Sequence, residues 1–321
     1  MSLDAYLASP LLDDRFPLPL DAPFGLDAVR AEGFPVRWLG RLVRSGHLRR
    51  VVRGVYVAAQ VPDSTRLRID SLALVVPDDA VVCDRHAGWL HGAGMVLAPN
   101  EHLELQPIRV FRPSGRERLR NGLADSGERA FAPGDLVDLG GLRVTTPLRT
   151  TWDLGRVRSR EHALGGLDAM LRLGVFTQDE LLDGVDRFRK QRWVRTLREL
   201  APLADGRSES PGESVTRLRW LDLGIGTPEP QLELRRGGLL VARLDLAERS
   251  VRFAVEYDGA EWHTSPGQRA HDRARREMVV EEFGYLVEAV RAGNVFGAQR
   301  DVEGIIFRGM EEARRRLGRV A

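Results

Sequence analysis

FAVEYDGAEWH, residues 253–263, decides how the last third of this chain is read. Phe253, Val255 and Tyr257 alternate with Ala254, Glu256 and Asp258, the period-two pattern of a strand with an apolar face and a polar one. Val251 extends the first face and Arg252 the second. The polar face ends in two carboxylates, and Asp245 stands eleven residues before Glu256 on the preceding strand. For any one of these acids a solvated strand end is the ordinary reading. Three acids on one hairpin repel each other, and they persist where a divalent cation neutralises them. Carboxylate oxygens are hard donors and favour Mg²⁺ or Mn²⁺, which keeps bound waters and joins a phosphate. Such an ion lowers the pKa of a bound water and clamps the charge of an in-line attack on phosphorus. His263 is placed by its spacing to take the proton of the attacking water. One geometric condition is attached. A turn centred on Glu248 and Arg249 sets Asp245 opposite Arg252, four residues or about 13 Å short of Glu256, so a bend or bulge must close the gap.

Outward from that stretch the pattern is a compact unit. Ser210-Pro211-Gly212-Glu213 is a helix start, with a capping Ser, Pro at the first position and Glu at the third, and the helix ends at Gly224. Three strands follow, with tight turns at Arg236–Gly238 and around Glu248–Arg249. Then come a helix closing at Gly284, the strand YLVEAV and a terminal helix. Residues 157–205 carry amphipathic helices, one of them with Thr177 as its cap, and read as a helical connector without chemistry of their own. ADGRSESPGES, residues 204–214, is the most linker-like stretch and marks the main domain boundary.

The N-terminal side has a different outline. Residues 1–24 read as an irregular lead-in. A short helix, Leu26–Glu32, a second helix ending at Gly46, and two β-rich runs hinged near Arg53-Gly54 make the outline of a winged helix-turn-helix. Arg37, Arg41 and Arg44 lie away from the apolar stripe of Trp38, Leu39, Leu42 and Val43, and with Arg49, Arg50 and Arg53 of the hairpin they form the candidate DNA-binding set. A solvated basic face is the alternative. Residues 66–153 alternate short helices and strands. His86, His91 and His102 there are better read as packed, hydrogen-bonded side chains than as metal ligands.

Composition narrows the classes. The 321 residues predict about two domains. The net charge of +2 says little about partners, but seven arginines against Asp27 and Glu32 between Gly25 and Gln60 make one region strongly basic. Lys190 is the sole lysine among 48 basic residues, so a mechanism that needs a catalytic lysine has one candidate. Cys83 is the sole cysteine, which excludes an internal disulfide and a multi-cysteine zinc site. The N-terminus lacks the basic start and apolar core of a secretory signal, and no apolar run approaches the ~20 residues that span a bilayer, so a cytoplasmic protein is expected.

Two resemblances carry these residues further. Asp245, VEYDGAEWH, DRARRE and FGYLVEAV, over about residues 206–300, resemble the domain related to very-short-patch-repair endonucleases, within the PD-(D/E)XK nuclease superfamily. The resemblance implies Asp245 and Glu256 as metal ligands with the Tyr257 carbonyl as a third, His263 as base or phosphate-orienting group, and Glu213 as an acid beside the metal. It makes Asp272 and Arg276 structural or phosphate-contacting. Asp258 fills the slot of the superfamily lysine, and the zinc-binding cysteines of the repair enzymes are missing. LGRLVRSGHLRRVVRGVYV, DRHAGWLHGAG and GLRVTTPLRTTWDL, over about residues 25–155, resemble the abortive-infection type IV antitoxin family, which implies a winged helix followed by a mixed α/β domain and a repressor's role.

The expected architecture is therefore α/β (α+β). It has a lead-in and winged helix over 1–65, an antitoxin-like domain over 66–155, the connector over 156–205 and a nuclease-type domain over 206–321. The expected function is a Mg²⁺- or Mn²⁺-dependent DNA endonuclease delivered by the winged helix. The alternative is a DNA-binding regulator or antitoxin-like protein whose nuclease fold is catalytically impaired. DNA is the expected partner, a protein bound through the antitoxin-like region is the other, and no membrane association is expected.

Overall fold

The computed structural model describes residues 2–98, 100–103, 107–259, 275 and 277–320. The chain divides into two compact units, Met1–Asp153 and Leu154–Ala321. No helix among the described residues is long and apolar enough to cross a membrane. The architecture is mixed α+β, with three sheets.

The first unit opens with α1 (Leu3–Leu7), β1 (Phe24–Gly25), α2 (Leu26–Ala31), α3 (Val36–Arg44), β2 (Leu48–Val52) and β3 (Val55–Ala58). The strands pair in the order β1-β3-β2, with Val52 facing Val55 across a turn that Gly54 makes at φ +85°. This is the winged-helix order that the sequence predicts. The stretch read as an irregular lead-in does more than lead in. Its Leu12, Phe16 and Leu18 are buried against Val29, Leu39, Leu42 and Leu48, and Phe16 meets the rings of Tyr6, Phe24 and Phe34 at 5.3–6.1 Å. Polar spacing hides such a segment, because isolated aromatics have no period to read.

A five-stranded sheet completes this unit. It is built from β4 (Val81–Val82), β5 (Ile108–Pro113), β6 (Ala124–Arg129), β7 (Leu136–Leu139) and β8 (Leu142–Thr145), in the order β6-β5-β4-β8-β7, with α4 (Thr65–Ala73) and α5 (Asp84–Leu90) packed beside it. The TTPLRTTWD run has a physical role here. Arg149, on α6 (Pro147–Gly155), pairs with Asp135 and Asp153, and all three are buried. Asp153 also receives Arg129 at 2.9 Å, and Arg129 pairs with Asp84 at 2.7 Å and lies 3.9 Å from the centre of the Phe111 ring. A buried network with every member paired holds strand ends and helix starts in one arrangement. Cys83 is buried, and burial pushes its thiol far above the usual range.

The second unit begins with α7 (Arg160–Leu171), α8 (Gln178–Asp183), whose Thr177 cap and Glu180 form the reciprocal capping box, and α9 (Val194–Leu200). It continues with α10 (Pro211–Leu223), β9 (Glu229–Arg236), β10 (Leu239–Glu248) and β11 (Phe253–Asp258). Helix α11 includes residues 277–283; β12 (Leu286–Arg291), α12 (Ala292–Val295) and α13 (Val302–Val320) end the chain. The sheet order is β12-β11-β10-β9: an antiparallel meander, with β12 parallel to β11, as a helical crossover requires. Gly237 and Gly238, both at positive φ, make the two-residue turn between β9 and β10.

The division between the units falls at Asp153/Leu154, whereas composition placed the main boundary at 204–214. The reason is that this Gly/Ser/Pro-rich stretch is stitched down. Asp168 on α7 is fully buried and accepts from both the Asp205 amide and Arg217 on α10, each at 2.8 Å. Ser208 is fully buried, and Gly206 lies so close to the Arg172 backbone that a Cβ would stand 2.9 Å from it. Removing one partner of a buried pair costs about 3–5 kcal/mol. Arg217→Ala, which strands the Asp168 carboxylate, is expected to lower unfolding free energy by about that amount, read by urea denaturation. A paired Asp168→Leu/Arg217→Met variant should recover most of the loss, and an unchanged midpoint in Arg217→Ala would contradict the role given to this pair.

Candidate functional site

The register of the acidic hairpin removes the 13 Å gap. The turn is longer than expected, spanning Arg249–Arg252 with Arg252 at φ +52°, so Glu248 pairs with Phe253 and Leu246 with Val255. The next positions outward are Asp245 and Glu256, side by side. No bulge in β11 is needed, because the longer turn sets an unbroken register, and beyond Leu246 the Asp245 Oδ2 accepts from the Tyr257 amide at 2.8 Å.

The second face of β11 is not a solvated one. Ala254 packs with Val279 of α11 and Tyr285, while Phe253 and Val255 pack with Trp220 of α10 and Ile306 of α13. Glu256 is therefore buried, at 6% exposure, and its counterion comes from the protein: Arg275 Nη2 lies 3.0 Å from Oε1 and 3.1 Å from Oε2. Glu213 is equally buried, on the first turn of α10, where the Ser210 hydroxyl accepts from its amide as the capping pattern predicts. Its carboxylate accepts from Gln231 Nε2 and the Glu209 amide, both at 2.8 Å. Gly212 lets this turn approach the sheet, since a Cβ there would fall 2.1 Å from the Tyr257 ring.

These acids feel one another. The Asp245 carboxyl is pushed up to about 7, first by burial, then by the charges of Glu213 and Glu256, against the pull of the Tyr257 amide and Arg275. Gln231 belongs to the same cluster. It sits between Pro230 and Leu232, which pair with Leu246 and Leu244 on either side of Asp245. It takes φ +54° inside a strand, and its Oε1 is buried without a hydrogen-bond partner. Non-glycine residues hold such a conformation where the surroundings over-determine it, often at functional sites.

As donors, these carboxylates are of the type that Mg²⁺ and Mn²⁺ take. Their arrangement does not match a ready ion site, because Arg275 occupies Glu256 and Gln231 occupies Glu213. Among the described residues no group of three or more His, Cys, Asp or Glu side chains is placed to hold a metal ion. Asp258 lies apart, 3.5 Å from Arg291, and the Tyr257 ring meets Phe296 edge-on at 6.5 Å. His263, Asp272 and Arg276 lie outside the described residues. Sequence reasoning missed Arg275 and Gln231. The first is one position before the arginine singled out, and the second has no motif, its signal being a polar residue in an apolar strand.

The basic set of the winged helix divides in two. Arg37, Arg41 and Arg44, at i, i+4 and i+7, are exposed on α3, and their side chains make no ion pair or hydrogen bond among the described residues. Arg49 is tied down, donating to the Val61 carbonyl at 2.6 Å. Arg50 and Arg53 are exposed on the wing and line a cavity of about 370 Å³ that reaches toward α5. The three histidines of the following domain are engaged as expected. His86 Nδ1 accepts from the Arg109 amide at 3.2 Å, His91 Nε2 donates to the Thr145 carbonyl at 2.7 Å, and His102 stacks on Trp89 with centroids 5.2 Å apart.

Comparison with known proteins adds to this geometry. Residues 80–203 match the family model of the AbiEi antitoxin C-terminal domain. The match supports the antitoxin-like resemblance from residue 80 onward, not its winged-helix part, and runs on through 156–203, the helices read from sequence as a connector. Two proteins of Mycobacterium tuberculosis, uncharacterized protein MT2308 of strain CDC 1551 / Oshkosh and uncharacterized protein Rv2248 of strain ATCC 25618 / H37Rv, are each 31% identical over 272 residues, 85% of this chain and 96% of theirs. The crystal structure of the RV2827C protein from Mycobacterium tuberculosis aligns with 66% of this chain and 78% of that chain, at a TM-score of 0.35 and 14% identity.

The raised Asp245 carboxyl has a sign that can be checked. Between its ordinary 3.8 and about 7 the folded state holds a proton that the unfolded chain has released. Stability therefore falls as pH rises through that window. Asp245→Asn keeps an acceptor for the Tyr257 amide and removes the charge. It is expected to match the native chain at pH 4 and exceed it at pH 8 by on the order of 2 kcal/mol, measured by urea unfolding; parallel pH profiles for the two proteins would refute the coupling.

Proposed function

We propose, since the chain belongs to the same family as the Mycobacterium tuberculosis proteins Rv2248 and MT2308 and carries an AbiEi antitoxin-type region, that it is a DNA-binding regulator of the antitoxin type. The observation that supports this most is the face of α3. Three guanidiniums one helical turn apart are exposed with no carboxylate to neutralise them among the described residues, on the second helix of a winged helix-turn-helix. A helix of that kind enters the major groove, and guanidiniums pair with phosphates and with guanine edges. The alternation of Arg with buried Leu39 and Leu42 holds the charged side outward while the apolar side locks into the core.

Each phosphate deprived of its cationic partner reduces the slope of log K against log salt by about 0.9. Arg41→Ala and Arg44→Ala are expected to weaken binding to duplex DNA from the chain's own upstream region and to flatten its salt dependence by about one each, measured by fluorescence anisotropy across a salt series. An Arg37/Arg41/Arg44 triple alanine variant that binds as tightly, with the same slope, would remove this reading.

A second reading is favoured by the convergence of Glu213, Asp245 and Glu256: metal-dependent phosphodiester hydrolysis by the C-terminal unit. Glu213, Asp245 and Glu256 would be the residues to hold Mg²⁺ or Mn²⁺, which would supply an activated water for attack on phosphorus, and the ion would have to compete with Arg275 for Glu256. Incubation of supercoiled plasmid with the full chain and Mn²⁺ tests it. Nicked product that vanishes in both Asp245→Ala and Glu256→Ala supports hydrolysis; plasmid left intact in Mg²⁺ and in Mn²⁺ leaves the regulator alone.

A further inference from the structure

The cavity of about 370 Å³ lies wholly within the first unit, between the wing, α4 and α5. Its volume is in the range of small-molecule sites, about 300–1,000 Å³. Its lining is of two kinds. Val51, Leu72, Leu90 and Leu123 give it apolar walls, and Trp89, with His102 stacked 19° from parallel, gives it a flat aromatic one. Four charged side chains also line it, Arg50, Arg53, Arg68 and Glu101, and their charges do not cancel. Arg68 is buried and already neutralised by Asp63 at 2.8 Å, with a further bond to the Val51 carbonyl. Glu101 is paired with Arg85. Arg50 and Arg53 have no carboxylate among the described residues, so the net charge presented to the cavity is positive.

Two further features point to a ligand that carries an anion on a flat body. The guanidinium of Arg53 rests over Gly122, where a Cβ would stand 1.8 Å from its Nη1; the missing side chain makes room for the charge at the cavity. His86 contributes a neutral donor. Its Nδ1 accepts from the Arg109 amide, which leaves the ring proton on Nε2, and burial pushes its pKa down to about 4, so it stays uncharged at neutral pH.

We propose that this cavity binds a small aromatic phosphate of about mononucleotide size, with the ring against Trp89 and His102 and the phosphate on Arg50 and Arg53. Guanidinium pairs match phosphate oxygens with two donors each. A phosphate held there occupies the wing's two arginines, so the ligand weakens duplex binding, and the duplex weakens the ligand by the same factor. This last consequence rests on the DNA-binding reading; the site itself does not.

The test uses the full chain in isothermal titration and thermal melting without DNA. Phenyl phosphate and AMP are the probes, with phenol, adenosine and inorganic phosphate as their separate halves. One-to-one binding of the two aromatic phosphates is expected, at least tenfold tighter than any half, and weakened tenfold or more by Arg53→Ala and by Arg50→Ala. Both arginines are exposed, so these variants keep the native melting temperature without ligand. Absence of saturable binding below about 1 mM, or binding that neither substitution weakens, overturns the proposal. In a second arm the duplex is titrated with and without AMP. A loss of duplex affinity on adding AMP supports the coupling. Saturable AMP binding by a chain whose α3 variants bind duplex unchanged keeps the site and removes the DNA reading, so the two failures are told apart.

Discussion

The pair between Asp168 and Arg217 is the constraint on which the second unit depends. Asp168 has no exposed surface, so its charge is tolerable only while Arg217 and the Asp205 amide address it. That requirement fixes α10 against α7. It also presses the chain between them into place, although that chain has the composition of a free linker. Glu213 rides on the first turn of α10, so the position of an acid in the cluster is set by a charge pair elsewhere on the same helix. The helices at 160–200 thus hold α10 in place through α7.

The two candidate sites solve the problem of like charge in opposite ways. On α3 the arginines are left in water, where repulsion is screened over about 8–10 Å and an incoming polyanion finds them free. In the acidic cluster two carboxylates are buried and Asp245 is half-buried, so screening by solvent is weak. There the protein supplies Arg275 to one, a Gln and an amide to another, and a proton held near neutral pH to the third. The first arrangement waits for a partner. The second is internally balanced, which is why the basic face supports the principal reading and the acidic cluster the subordinate one.

Much of this is legible in the chain itself. Period-two and period-3.6 patterns place α7, α10, β8, β9–β12 and α13, and caps such as Ser210 and Thr177 mark helix starts. The winged-helix order is readable because Gly33, Gly46 and Gly54 punctuate it. What escapes has particular causes. The aromatics at 16 and 24 have no period, so the opening segment looks irregular while filling a core. The turn after β10 reads too short by two residues, because Arg252 takes a left-handed conformation that glycine ordinarily takes. That error of register moves Asp245 away from Glu256 on paper. Arg275 and Gln231 escape because an ion pair or a strained strand residue is a fact of tertiary packing. The linker at 204–214 is misjudged for the same reason: composition does not reveal which backbone is anchored by a distant carboxylate.

One consequence follows from the kind of cation on α3 and the wing. Every basic group there is a guanidinium, which keeps its proton at any physiological pH and offers no amine for acetylation. The positive face therefore has no chemical off-switch of its own: acidification leaves it unchanged, and lysine-directed enzymes find nothing to modify. Whatever tunes its grip on a polyanion acts by covering the arginines or by moving the helix that carries them, so its regulation is a matter of occupancy and shape rather than of titration.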